Sequence, residues 1–239
     1  ILELAGRDDA TGIAEIMAAT GQPRSTVVRI VGELMARQFL ERAERGRYQP
    51  GAAIRSLART ASGEDALHAR ARDQLKRLVA ATGETAHYAV YEAGHSVYVD
   101  KLDGLHPIRS YTKIGGRSPA YATATGKVLL AWQDGKEIQR VAKESTPFTR
   151  TTRVGLAAVV AEEKRVRAAG YAVNRGEWRV GVWGVAAPVF DEEGRMVAAL
   201  GISGPEQRIR PRIIEYAKII VEYAGRASPG SALSPRRTA

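Results

Sequence analysis

Cysteine is absent from this 239-residue chain, which excludes disulfides, thiolate metal sites and a cysteine nucleophile. The absence fits a reducing compartment, and a cytoplasmic protein is expected. Long apolar runs are missing too: none approaches the ~20 residues that a membrane helix needs, so no membrane partner is expected. Asp8, Asp9 and Glu15 put acid where a secretory leader is apolar or basic. The abrupt opening at Ile1 implies further residues upstream. Histidine is scarce, with four residues at 68, 87, 95 and 106. His87 and His95 flank an expected hairpin, but no metal-ligand spacing accompanies them, so neither metal nor cofactor is expected. Gly201-Ile202-Ser203-Gly204-Pro205 ends in proline where a nucleophile elbow needs glycine, and no catalytic residue is assigned.

Acid is the minority charge. Lys and Arg number 36 against 26 Asp and Glu, for a net charge of +10. A basic protein is drawn to polyanions, and where the charge falls says more than its total. Residues 21–59 hold eight arginines and three glutamates. Arg226, Arg236 and Arg237 add positive charge near the C-terminus.

Along the chain, Ile1–Gly6 reads as the end of a helix, and Gly12–Thr20 as a short helix stopped by Gly21. A second helix opens at Pro23, which suits a first turn because its missing N–H costs little there. It runs to about Gln38 with Val27, Ile30, Val31 and Leu34 inward. Residues 39–42 and 47–49 read as two short strands around a turn at 43–46. Residues 51–82 carry an apolar helical stripe. Beyond Glu84 the pattern turns to strands at 85–91, 96–101, 108–112, 171–175, 182–190 and 195–203. These mix with helices at 123–132, 135–144, 155–169 and 206–225, and a glycine-rich loop spans 113–119. Hairpins among helices imply an α+β fold around an antiparallel sheet. The expected domains are a winged helix-turn-helix at 1–52, a linker helix at 53–82, an effector-binding and oligomerisation domain at 83–226, and a disordered tail at 227–239.

Two short helices around a glycine turn are the skeleton of a helix-turn-helix. The second opens Pro23-Arg24-Ser25-Thr26-Val27-Val28-Arg29. With its apolar stripe inward, Arg24, Ser25 and Val28 project outward, beside Arg29 and Thr26. The first turns of such a helix reach base edges and phosphates. Arginine suits guanine and the hydroxyls suit phosphate. The hairpin that follows carries Arg42, Arg45 and Arg47, so Arg45 and Arg47 join the expected DNA contacts as a wing. The alternative is a small-molecule sensor or interaction protein whose basic face binds DNA only non-specifically.

Residues 20–29 resemble the DNA-reading segment of the isocitrate lyase regulator (IclR) family of bacterial transcription factors. Four later segments extend the resemblance: Tyr98–Lys101, Ala122–Ala131, Gly170–Asn174 through Gly181, and Ala186–Asp191 with Ile202–Pro205. It implies a GAF-like C-terminal domain whose curved antiparallel sheet holds a small molecule on one side. It also implies a homodimer or homotetramer that represses or activates operons in response to a small organic acid.

The glycine-rich loop and the helix after it make a plausible anion site: N–H groups of Ala124, Thr125 and Gly126, with the hydroxyls of Thr123 and Thr125, suit a carboxylate. A nucleotide phosphate loop is excluded, since Tyr121 and Val128 stand where it needs glycine and a hydroxyl residue. The resemblance places effector contacts at Ile108, Ser110, Ala124, Thr125, Asn174, Val182, Gly184, Gly201 and Ser203. Asn174, Gly184 and Gly201 replace residues that are acidic or hydrogen-bonding in some members. More room and fewer polar groups lead to the expectation of an aromatic acid, with Tyr121, Trp178 and Trp183 as walls. The function expected is a sequence-specific regulator that binds double-stranded operator DNA under control of that carboxylate.

Overall fold

The computed structural model describes residues 11–43, 46–51, 53–54, 65–109 and 112–229. The expected helix at 1–6, Arg45, Ser110 and most of 51–64 lie outside the described residues. The chain divides into two units, Ile1–Asp65 and Ala66–Ala239.

The first unit contains α1 (Ile13–Thr20), α2 (Arg24–Ala36), β1 (Leu40–Arg42) and β2 (Tyr48–Pro50). α1 begins where Glu15 Oε2 accepts the Gly12 N–H at 3.0 Å. It ends at Gly21, whose φ of +67° closes the last turn onto the Met17 carbonyl; glycine takes that backbone with no side-chain clash. Pro23 is extended, with ψ 153°, so it caps α2 from outside instead of forming its first turn. Val27, Val31 and Leu40 form a small core closed by Ile13, Ile16, Met17, Leu34, Met35 and Tyr48. Ile30, expected inward, is exposed because it lies at the edge of the stripe made by Val27, Val31 and Met35. β1 and β2 pair antiparallel, Leu40 against Pro50, and Thr11 bridges to Tyr48.

The second unit begins with α3 (Asp65–Thr82) and the hairpin β3 (Thr85–Glu92) and β4 (His95–Leu102). It continues through β5 (Arg117–Pro119), α4 (Ala124–Ala131), α5 (Gly135–Glu144), α6 (Leu156–Ala169), β6 (Ala172–Arg175), β7 (Val182–Phe190) and β8 (Met196–Pro205). It ends in α7 (Glu206–Ile209), a 3-10 turn at Arg210–Arg212 and α8 (Ile213–Ala227). The strands form one sheet in the order β5-β4-β3-β8-β7-β6, antiparallel throughout.

Alternation along the strands builds two layers. Tyr88, Val185, Ala187, Leu200 and Ile202 pack with Ala71, Leu75 and Leu78 of α3 and Tyr216, Ile220 and Ala224 of α8. Ala89, Tyr98, Ala172, Ala186 and Ala199 pack with Ala124, Val128 and Leu129 of α4 and Val166 of α6. The small alanines on this second face let α4 come close to the sheet. Between β3 and β4, Tyr88 pairs with Asp100 but Ala89 pairs with Tyr98, so Val99 is an extra residue. The bulge turns the strand over. Tyr98 therefore joins the α4 layer, whereas Asp100 meets Arg72 of α3.

Four expectations change. The linker helix expected over 53–82 is not separate, because Ala71, Leu75, Leu78 and Val79 lie in the core of the second unit. The strand expected at 108–112 does not form over its described residues; Pro107 has no N–H for a ladder, Ile108 is exposed, and β5 pairs with β4 instead. The helix expected at 206–225 is broken at Arg210–Arg212, where Pro211 cannot continue the ladder. Of the tail expected from 227, Ala227 is buried in α8 and Ser228 Oγ accepts the Phe190 N–H at 3.0 Å, whereas 230–239 lie outside the described residues.

Candidate functional site

In the first unit, Arg24, Ser25, Val28 and Arg29 are exposed on the opening turns of α2, with Thr26 half-buried beside them. Neither arginine pairs with an acid among the described residues. Arg47 differs. Its guanidinium is held by both oxygens of Glu15, at 3.0 and 2.9 Å. Because Glu15 also caps α1, Arg47 fastens the hairpin to the first helix.

In the second unit, a pocket opens between the α4 face of the sheet and the start of α4. Its lining includes His87 and Tyr98 from the β3–β4 hairpin, Thr123, Ala124 and Thr125 at the head of α4, and Gly184 and Ser203 from β7 and β8. Thr112, Asn174, Trp178, Arg179, Val182 and Ile202 complete it. Thr123 Oγ1 caps α4 by accepting the Gly126 N–H at 3.2 Å. This places the positive end of the helix dipole at the pocket. Thr125 Oγ1 lies 2.9 Å from Ser96 Oγ. Ser203 Oγ is buried without a hydrogen-bond partner among the described residues, a group that a polar ligand atom would satisfy.

Charge in the pocket is one-sided. Burial, reinforced by the charge of Lys101, drives the His87 imidazole down to about 3, so it is neutral at physiological pH. Its Nδ1 sits 3.3 Å from Thr112 Oγ1, and its ring lies 5.3 Å from that of Tyr98. Burial pushes the Tyr98 phenol up, keeping it protonated, with the nearby Arg179 opposing. Arg179 therefore carries the full positive charge among the described lining residues. Its guanidinium stacks on Trp178, 4.4 Å from the ring centre, an arrangement that limits its rotamers before any ligand arrives.

Behind this wall lies a buried ionic cluster. Lys127 Nζ donates to the Val173 carbonyl at 3.0 Å, lies 3.3 Å from Glu162 Oε1 and pairs directly with Glu177. Arg165 completes it on Glu162. Burial pushes the Glu177 carboxyl up against the pull of Lys127. At Glu162 burial acts the same way, but the Arg165 hydrogen bonds and Lys127 outweigh it and hold the carboxyl below its usual range. Lys127, next to Gly126, is thus an internal tie and not a phosphate ligand.

Comparison with known families decides what this pair of sites belongs to. The IclR helix-turn-helix domain matches residues 1–44, and the bacterial transcriptional regulator IclR C-terminal domain matches residues 60–228. This chain belongs to the IclR family. It is 32% identical over 235 residues to the HTH-type transcriptional regulator KdgR of Escherichia coli K12, covering 95% of this chain and 88% of that protein. An IclR homologue from Microbacterium hydrocarbonoxydans, crystallised with 4-hydroxybenzoate, superposes with a TM-score of 0.83 at 25% identity, over 95% of this chain and 94% of that one. The IclR of Thermotoga maritima gives 0.74 at 27% identity, over 94% and 92%. The protein is accordingly a DNA-binding transcriptional regulator and not an enzyme.

In this IclR-family chain, six positions expected to touch an effector line the pocket: Ala124, Thr125, Asn174, Val182, Gly184 and Ser203. Three described ones do not. Ile108 is 74% exposed and gives its carbonyl to Arg208. Gly126 lies beneath the pocket, where a Cβ would fall 2.5 Å from the Ala120 backbone. Gly201 faces the same side, but the Thr125 methyl would lie 2.8 Å from any Cβ there, so the missing side chain makes room for Thr125 and not for a ligand. Asn174 spends its carbonyl on the Glu177 N–H at 2.9 Å. Of the expected aromatic walls only Trp178 serves. Tyr121 stacks on Phe148 away from the pocket, and Trp183 packs against the other face of the sheet. His87, Tyr98, Thr112, Thr123 and Arg179 complete the described wall. No local pattern marks most of them, because β3, β4 and the 175–182 loop converge only in the folded sheet. Of these, the sequence marks Thr123 through the helix start it caps, and Arg179 stands next to a tryptophan in a glycine-bounded loop.

Proposed function

We propose that this regulator binds double-stranded operator DNA through the opening turns of α2, and that a small aromatic carboxylate in the sheet pocket alters that binding. The observation that carries the reading is that Arg179 and the α4 N-terminus line the same pocket. A carboxylate between them gains a charge-assisted hydrogen bond on one side and free helix N–H groups on the other. His87 and Tyr98, both held uncharged, supply neutral donors or acceptors and apolar surface. Tyr98 and Trp178 favour a flat ring over a short aliphatic chain. The solved relative with 4-hydroxybenzoate supports a ligand of that kind here. We further propose that the chain acts in the cytoplasm as a dimer or tetramer. Occupancy of the pocket would then change how paired α2 helices meet two half-sites.

A thermal-shift screen of benzoate, 4-hydroxybenzoate, acetate and the matching amides tests the ligand class. Stabilisation by the aromatic acids but not by their amides is expected. Stabilisation by acetate alone would discard the aromatic reading, and equal shifts from acid and amide would discard the carboxylate.

A further inference from the structure

The N–H, the carbonyl and the carboxylate of Glu177 each tie down the loop that carries Trp178 and Arg179. Its N–H donates to Asn174 Oδ1 at 2.9 Å. Its carboxylate pairs with Lys127 inside the protein. Its carbonyl accepts from Thr152 Oγ1 on the outer side. Two neighbouring carbonyls are held the same way: Thr149 Oγ1 donates to Gly176 O at 2.8 Å, and Thr151 Oγ1 to Arg175 O at 3.2 Å. The threonine segment is itself ordered, since Thr152 Oγ1 accepts the N–H groups of Phe148 and Thr149 at 3.0 and 2.8 Å. The far end of the loop is closed by the Glu206 N–H on the Gly181 carbonyl at 2.7 Å.

Lys127 belongs to α4, whose N-terminus also lines the pocket. One helix therefore presents its dipole end at the pocket and, one turn later, anchors the cationic loop. A buried lysine between two carboxylates, Glu162 and Glu177, is costly to assemble unless every partner is in place. That requirement fixes the spacing between the two walls.

We propose that Glu177 and Lys127, with the threonine strap 149–152, are positioning residues for effector recognition: they set where Arg179 stands and so determine the preference for a carboxylate. Neither lines the ligand pocket as Arg179 does. This rests on the carboxylate reading above, although the anchoring of the loop can be tested without any ligand.

The experiment compares the full chain with Glu177→Gln, the double variant Thr149→Val/Thr152→Val, Arg179→Ala and the combination Glu177→Gln/Arg179→Ala. Glu177→Gln keeps the shape and both backbone bonds while removing the charge. Circular dichroism first establishes that each variant is folded. Amide hydrogen exchange across residues 175–182 is then expected to accelerate in Glu177→Gln and in the threonine variant, with exchange in β3 and β8 unchanged. In titrations with benzoate and benzamide, the acid-over-amide preference is expected to fall by about tenfold in Glu177→Gln, the loss of one charge-assisted contact. In the combined variant it should fall no further than in Arg179→Ala alone. Unchanged exchange, or losses that add, would overturn the proposal. If benzoate and benzamide fail to bind even the unaltered protein, the aromatic-acid reading fails and the exchange result decides the anchoring alone.

Discussion

The two units place their functional groups in opposite ways. The DNA-reading unit carries Arg24, Ser25, Val28 and Arg29 on one short stretch, all exposed, over a core of a few aliphatic residues. The sensor unit builds its pocket from positions as far apart as His87 and Ser203, most of them half-buried or buried. The difference follows from what each must bind. A duplex is met at a surface, so a helix whose outer face is polar suffices. The small acid proposed for the other unit has to be enclosed, so its pocket is built from strands, a helix end and a loop, held in register by packing and by a buried ionic cluster. One site should then tolerate substitution without loss of fold, and the other should not.

Lys127→Met is expected to have the largest effect. It leaves the Glu162 and Glu177 carboxylates buried without their shared cation, and breaking such a cluster costs about 3–5 kcal/mol. Urea unfolding of the sensor unit measures it; a loss below 1 kcal/mol would mean that the cluster is more open to water than its burial indicates.

The second test uses pH. His87 is near 6.5 when unfolded and about 3 when folded, so below 6.5 the unfolded chain binds the extra proton. Stability supported by a neutral His87 is present above pH 6.5 and lost as pH falls from there towards 3. Between pH 7 and pH 5 the loss is about 2 kcal/mol for one such group. His87→Asn should flatten that slope, and an unaltered slope would place the burial cost elsewhere.

In the first unit the comparison predicts the reverse outcome. Arg24→Ala or Arg29→Ala should leave the unfolding midpoint within measurement error while weakening operator binding by roughly 1–3 kcal/mol for whichever arginine reads a base. Arg47→Ala should lower the melting point by loosening the hairpin, because Arg47 is tied to Glu15. A mobility shift and a melting curve on each variant separate the two kinds of arginine.

Legibility in the sequence follows the same division. Gly21, Pro23 and the apolar spacing of Val27, Val31 and Leu34 mark the helix-turn-helix because every signal is local. The strands and helices of the sensor unit are equally visible, since alternation and helical periodicity survive in isolation. What a linear reading missed depends on partners distant in sequence. The Val99 bulge decides that Tyr98 and not Asp100 faces α4. The Thr125 methyl fills the space that Gly201 leaves. Lys127 looks like part of a glycine loop until Glu162 and Glu177 arrive from α6 and the 175–182 loop. Pro107 and Pro211 break elements that hydropathy alone would continue.

In the proposed function, a carboxylate read by Arg179 alters operator binding. Operator affinity measured with and without saturating benzoate, in the unaltered protein and in Arg179→Ala, tests it most directly. A shift of tenfold or more in the first, about 1.4 kcal/mol of coupling, and its loss in the second with unchanged ligand-free affinity, is the predicted result. An operator affinity that does not respond to the acid, or that responds equally without Arg179, would contradict it.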